Sequence, residues 1–199
     1  MISVVSPVYR AAGCVAELHR RLVATLEAMH VDYEIVLVDD GSDDGSAEEV
    51  ARLPVKSILL QSNVGQQRAI AEGLKHAAGE WIVVMDCDLQ DPPEAIPQLY
   101  AAREELDVVI ARRVNRKDSA FRRIASRAWQ AYAGIERGLG NFSVIHRHVA
   151  QEVVRRAGEP YLLVIIERAY RTVDVEHGRR FHGRSAYTLR RLLRSARRR

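Results

Sequence analysis

A chain of 199 residues is long enough for one domain with a full hydrophobic core. It is 47% hydrophobic and 28% charged, and its net charge of +4 is unevenly spread: six of the last ten residues are arginine, while 39–49 is acidic. Two cysteines, Cys14 and Cys87, exclude a disulfide framework and a cysteine metal site, and no apolar run approaches the ~20 residues of a membrane span. Both cysteines read as small buried residues in a reducing compartment. The chain opens directly on a strand pattern, with no signal-peptide pattern in view.

Ile2–Val8 is β-rich, with Pro7 and Tyr9 at its end. Val15, Leu18, Leu22, Leu26 and Met29 recur at helical spacing, which predicts an amphipathic helix over 15–29. A second strand, 34–38, runs into Asp39-Asp40-Gly41-Ser42-Asp43-Asp44-Gly45-Ser46, a loop whose last residues cap a helix. A third strand, 56–60, leaves through Gln61-Ser62-Asn63-Val64-Gly65 into a helix over 66–78, closed by Gly79. The fourth strand, 81–85, ends in Asp86-Cys87-Asp88-Leu89-Gln90-Asp91-Pro92-Pro93-Glu94. Pro93 opens a helix to about Glu105, and 107–111 is a fifth short strand. Beyond Arg113 the pattern predicts helices over 119–132 and 148–157 and leaves 161–170 open between helix and strand. The chain ends in a basic amphipathic helix, 186–199, with Leu189, Leu192, Leu193 and Ala196 on one stripe.

Strands alternating with helices mean βαβ units, so the fold class is α/β with a mainly parallel sheet. Right-handed crossovers then put every strand's carboxyl end on one edge. Pro7, Tyr9, Asp39, Asp40, Asn63, Asp86, Asp88 and Arg113 are expected along that edge, where open α/β sheets bind ligands. Asp86 and Asp88, one residue apart after a buried strand, make a hard oxygen site suited to Mg²⁺ or Mn²⁺. A solvated acidic turn is the alternative. Asp39 and Asp40 can accept hydrogen bonds from a base N–H or a ribose hydroxyl, in competition with turn chemistry.

There is no Walker-type loop, and Gly138-Leu139-Gly140 follows no predicted strand, so it is no dinucleotide fingerprint. A bound diphosphate would need a metal and cations drawn from Arg113, Arg116, Lys117 and Arg127. His146 and His148, at i and i+2, lack cysteine or acidic partners at zinc spacing, so no histidine metal site is expected. The C-terminal helix can lie on an anionic membrane surface or dock on the domain. Without interleaved aromatics or a reading module, it is not expected to bind nucleic acid.

Ser3-Val4-Val5-Ser6-Pro7-Val8-Tyr9, Val38-Asp39-Asp40-Gly41-Ser42, Asn63-Val64-Gly65 and the 86–94 string together resemble glycosyltransferase family 2. Asp-Leu-Gln-Asp-Pro-Pro-Glu is similar to its polyprenyl-phosphate (dolichol-phosphate-like) branch. Gly140-Asn141-Phe142-Ser143 and Gly183-Arg184-Ser185-Ala186-Tyr187-Thr188-Leu189 match later landmarks. The resemblance implies a GT-A (Rossmann-like) domain over 1–183 and a membrane-surface helix over 184–199. It implies an inverting, Mg²⁺- or Mn²⁺-dependent transfer of sugar from a nucleotide-sugar donor to a polyprenyl phosphate, at the cytoplasmic face of the membrane.

By that resemblance Pro7, Tyr9 and Asp40 would hold the nucleoside, with Asp39, Asn63 and Cys87 beside them. Asp86, Asp88 and Gln90 would bind metal and diphosphate. Arg113 and Arg127 would handle donor and acceptor phosphates, and Ser185 and Tyr187 would sit near the acceptor phosphate. The catalytic set would be Asp88, Asn141, Arg113 and Arg127. Asn141 stands where family members often carry an acidic residue proposed as a base. An asparagine cannot take a proton, but a phosphate monoester, with a second pKa near 6, is already largely a dianion and needs orienting instead. Segments 133–140 and 160–174 look shorter than usual, and many relatives carry transmembrane helices after the surface helix. Two further readings stay open: transfer to a sugar hydroxyl of a lipid-linked or surface glycan, and a non-catalytic nucleotide-sugar binding domain.

Overall fold

β-Branched runs build the centre of the molecule. A computed structural model of the chain describes residues 1–114 and 136–182. Its elements run β1 (Ile2–Val8), α1 (Ala12–Ala28), β2 (Tyr33–Asp39), α2 (Ser46–Ala51), β3 (Lys56–Leu59), α3 (Gln66–His76) and β4 (Trp81–Val84). A 3₁₀ turn at Pro93–Ala95 leads into α4 (Ile96–Ala101), followed by β5 (Val108–Val114), β6 (Leu139–His146), α5 (Arg147–Arg155), α6 (Tyr161–Ile165) and β7 (Arg171–Glu176).

The seven strands form one sheet in the order β3-β2-β1-β4-β6-β5-β7. β1 pairs in parallel with β2 and β4, β2 with β3, and β5 with β7; β6 alone runs antiparallel, between β4 and β5. The expectation that every strand ends on the same edge therefore holds for six strands and fails for β6. This reversal matters for the site, because the start of β6 now shares an edge with the ends of β4 and β5.

Alternate residues of the central strands feed two separate cores. Val4 and Val83 face a layer with Leu18, Leu22 and Leu26 of α1 and Leu99 of α4. Val5 and Val84 face a layer with Ile70 and Leu74 of α3, Val149 and Val153 of α5, and Tyr161 of α6. Each fully buried aliphatic side chain contributes about 1.5–3 kcal/mol. Both faces being covered, the strands read as apolar runs, as parallel sheets require.

The helix opened by Pro93 stops at Ala101, before the predicted Glu105, where Glu105 adopts φ 63°. The open 161–170 segment divides into α6 and a turn, and β7 follows at 171–176. Gly138-Leu139-Gly140 straddles the start of β6. No helix among the described residues is long and apolar enough to cross a membrane. The expected helices over 119–132 and 186–199 lie outside the described residues, as do Arg116, Lys117, Arg127, Ser185, Tyr187 and the 183/184 boundary.

Candidate active site at the carboxyl edge of the sheet

The turn that follows β4 delivers its acids by a strained backbone. Leu89 has φ 61°, the left-handed region that costs a bulky L residue about 1–3 kcal/mol. Its side chain is buried in the same apolar layer as Met85 and Cys87, which holds the turn down. Asp88 and Gln90 flank this residue, and the Gln90 N–H donates to Asp88 Oδ1 at 3.0 Å. Cys87 packs inward, and burial pushes its thiol well above the usual range. It is thus a spacer that separates the two aspartates, with no nucleophile on offer.

Among the described residues, three carboxylates and two guanidiniums meet here. Arg113, at the end of β5, donates from Nε and Nη2 to the two oxygens of Asp91 at 3.0 and 2.5 Å, and from Nη2 to Asp86 Oδ2 at 3.3 Å. Asp91 is fully buried. Burial alone would lower the Arg113 pKa, but Asp91 and Asp86 outweigh it and raise it. Arg113 is thereby committed to its own carboxylates, which a phosphate would have to share. Asp88 Oδ2 pairs with Arg180 at 2.6 Å. Asp86 Oδ1 accepts from Gln66 Nε2 of α3 at 2.7 Å and, at the long distance of 3.5 Å, from Asn141 Nδ2 of β6. Burial, ahead of repulsion by Asp88 and Asp91, pushes the Asp86 carboxyl up to about 6, with Arg113 opposing.

Gly140 makes room for this arrangement. A Cβ there would lie 2.7 Å from Arg113 Cζ, so a larger residue would push the guanidinium out of this position. The segment after β7 closes over the turn. The Gly178 N–H donates to Gln90 O at 2.8 Å, the Phe181 N–H to Asp88 O at 3.2 Å, and Gln90 Nε2 reaches Gly178 O at 3.4 Å.

The β2 end forms a second acidic group. Asp40 is buried and organises the loop after β3: its carboxylate accepts from Val64 N–H at 2.7 Å, Asn63 Nδ2 at 2.8 Å and Gly65 N–H at 3.0 Å. Gly41, at φ 62°, permits the close approach, since a Cβ would lie 2.4 Å from the Ser62 carbonyl carbon. Turn chemistry therefore employs Asp40 and Asn63 directly. Asp39 differs. Oδ2 accepts from the Ser42 N–H at 2.9 Å, while Oδ1 is buried without a hydrogen-bond partner among the described residues. Pro7 is buried in β1, opposite Val38, and Tyr9 follows with the Arg10 guanidinium 5.5 Å from its ring centre.

The fold thus brings Asp86, Asp88, Gln90, Asn141 and Arg113 into one cluster, with Asp39 and Asp40 further along the same edge. Three further members were not anticipated. Asp91 sits in the acidic string already singled out, but its partner Arg113 is 22 residues away. Gln66 opens a helix that shows only its apolar period. Arg180 follows β7, whose alternating Arg171-Thr172-Val173-Asp174-Val175-Glu176 is the signal that would have put 177–182 on this edge.

A mainly parallel α/β sheet with clustered acids at its carboxyl edge is the GT-A class of architecture, and solved structures confirm the likeness. The mannosyl-3-phosphoglycerate synthase of Rubrobacter xylanophilus is 19% identical with a TM-score of 0.69, over 98% of this chain and 70% of that one. The glucosyl-3-phosphoglycerate synthase of Mycobacterium tuberculosis, in complex with Mn²⁺, UDP-glucose and phosphoglyceric acid, is 16% identical at TM-score 0.69, over 99% and 76%. S. aureus TarS with UDP-GlcNAc is 20% identical at TM-score 0.64, over 94% and 61%. The chain belongs to glycosyltransferase family 2, whose model matches residues 3–157. It is 38% identical to an undecaprenyl-phosphate 4-deoxy-4-formamido-L-arabinose transferase of Edwardsiella ictaluri, over 96% of this chain. It spans 64% of that relative's length.

Proposed function

We propose that the chain is the nucleotide-sugar-binding transferase domain of an inverting enzyme that moves a sugar to a polyprenyl phosphate. The observation that carries this is the turn after β4, where Asp86, Asp88 and Gln90 converge and where, among the described residues, carboxylates outnumber guanidiniums by one. Burial and the neighbouring carboxylates raise Asp86, so its ionised form would gain from an added cation. Oxygen donors in that state fit Mg²⁺ or Mn²⁺. When bound, such an ion neutralises the charge of a leaving nucleoside diphosphate. The Mn²⁺ and UDP-glucose named for the M. tuberculosis relative and the undecaprenyl phosphate named for the E. ictaluri relative support the same chemistry.

The chain's own residues divide the work. The unpartnered Asp39 Oδ1 suits an N–H of the base or a ribose hydroxyl, and Pro7 and Tyr9 flank that position. Asp40 and Asn63 shape the loop beside it. With a cation held by Asp88, Arg180 would be released from that carboxylate and available to the diphosphate. Asn141 orients and cannot act as a base, which favours an acceptor that is already ionised. A phosphate oxygen attacks the anomeric carbon as the bond to the diphosphate breaks on the opposite side, so no proton need be removed. Transfer to a neutral sugar hydroxyl would forgo about 10²–10⁴-fold of general-base assistance. The proposal extends to Arg127, Ser185 and Tyr187 at the acceptor phosphate, and to 184–199 on the cytoplasmic membrane surface.

Incubating the protein with a short polyprenyl phosphate, Mn²⁺ and a panel of UDP-, GDP- and dTDP-sugars tests it. Sugar-phosphate lipid forms with one donor. Folded protein that transfers from none of them, or that transfers only to a free hydroxyl acceptor, overturns the proposal.

A further inference from the structure

Topology gives the two histidines at i and i+2 the acidic partner that sequence spacing lacks. β5 and β6 are antiparallel neighbours, and the His146 N–H donates to the Asp107 carbonyl at 2.9 Å. His146 also caps α5, its Nδ1 accepting from the His148 N–H at 3.4 Å. Asp107, His146 and His148 therefore converge, with ligand atoms all within 4.8 Å of one another. His146 pairs with Trp81 at the start of β4, so the cluster lies at the end of the sheet opposite Asp86.

A carboxylate orients the His148 ring, and a second lies farther from His146. His148 Nε2 is 3.0 Å from Asp107 Oδ2, and His146 Nε2 is 3.8 Å from Glu80 Oε1. The two Nδ1 atoms face each other 2.6 Å apart. Two imidazole nitrogens that close must hold a proton between them, since two lone pairs repel. A cation can take that proton's place, with His146 Nδ1 giving up its long 3.4 Å cap of the His148 N–H in exchange. Tetrahedral bonds of about 2.0–2.1 Å require the nitrogens to be about 3.3 Å apart, a small opening of the pair. His148, with its side chain 48% exposed, is free to make it. A carboxylate behind the distal nitrogen is the usual support of a metal-bound histidine.

We propose that His146 and His148 chelate a borderline divalent cation, Zn²⁺, Ni²⁺ or Cu²⁺, through their Nδ1 atoms, with Asp107 orienting His148. Imidazole selects these ions over Mg²⁺ and Mn²⁺. The site is thus chemically separate from the β4 carboxylates and independent of the transferase reading. It fastens the start of β5, the end of β6 and the first turn of α5.

Trp81 reports on it, because its indole meets the His146 ring edge-on at 5.0 Å. In the full chain carrying Trp129→Phe, and in a large excess of Mg²⁺, Cu²⁺ quenches Trp81 fluorescence at one equivalent. Calorimetry with Zn²⁺ gives a matching single site. Asp107→Asn weakens Zn²⁺ binding about 10- to 100-fold. His148→Ala and the bulkier His148→Gln abolish it, with circular dichroism unchanged in at least one of them. Asp86→Asn/Asp88→Asn leaves it intact. An isotherm unaltered by either His148 substitution, or Cu²⁺ binding that leaves Trp81 unquenched, overturns the proposal.

Discussion

Glu34, near the start of β2, and Asp86, just past the end of β4, expose similar shares of their side chains, 18% and 23%. Their surroundings treat them oppositely. Glu34 Oε1 accepts from Ser3 Oγ at 2.6 Å and the Ala78 N–H at 2.5 Å, and Oε2 pairs with Lys56 at 2.9 Å. Burial pulls its pKa upward, but these three partners hold it below the usual carboxylate range. At Asp86 burial outweighs the attraction of Arg113, Asp88 and Asp91 add repulsion, and the carboxyl rises to about 6. Similar surface exposure therefore goes with opposite shifts at the two edges of one sheet, because Asp86 is the more deeply enclosed of the two and Glu34 the better partnered. The amino-terminal edge satisfies its charge and serves the fold. The carboxyl edge leaves a carboxylate under-compensated, which is the state the proposed cation would relieve.

Breaking the Asp91–Arg113 pair is expected to have the largest effect. Asp91→Asn removes the partner of a buried guanidinium and costs about 3–5 kcal/mol of unfolding free energy, read by urea denaturation. Glu34→Gln comes next. It loses charge-assisted hydrogen bonds worth about 1.5–3 kcal/mol, discounted toward the lower figure by the exposed Lys56. Because the folded-state pKa of Glu34 is lowered, its contribution is present above the ordinary carboxylate value and is lost as pH falls through the lowered one. The variant's deficit should therefore shrink in acid.

Asp86→Asn carries the opposite sign. A carboxyl raised to about 6 destabilises progressively as pH rises from the ordinary value toward and through 6. At neutral pH the amide variant should be no less stable than the parent by thermal melting, while losing transfer about 10²–10³-fold. The smallest effect is expected from Arg180→Ala. Removing the ion pair on Asp88 should tighten Mn²⁺ binding by up to about fivefold, the equivalent of about 1 kcal/mol, as measured by calorimetry.

How much of this the sequence displays depends on whether neighbours in space are neighbours in the chain. β1, β2 and β4 are legible because each is an apolar run that stops abruptly at polar residues, and the same stop places Asp39, Asp86 and Asp88. β6 is obscured by Gly140, Asn141 and Ser143, which break its apolar run, and its reversed direction leaves no local mark. β7 is a half-exposed edge strand whose charged residues look like loop. Asp91–Arg113, Asp88–Arg180 and the Asp107–His148 contact join residues far apart in sequence. Each depends on the order of strands in the sheet, which residue spacing does not specify.

The claim that the β4 edge holds a metal and the diphosphate of a sugar nucleotide is tested most directly by nucleotide calorimetry. UDP, GDP and dTDP would each be titrated into the parent and into Asp88→Asn, with and without Mn²⁺. The account predicts that one nucleotide binds the parent, only with Mn²⁺, and that binding is lost in Asp88→Asn. Equal binding with and without Mn²⁺, or binding indifferent to Asp88, would contradict it.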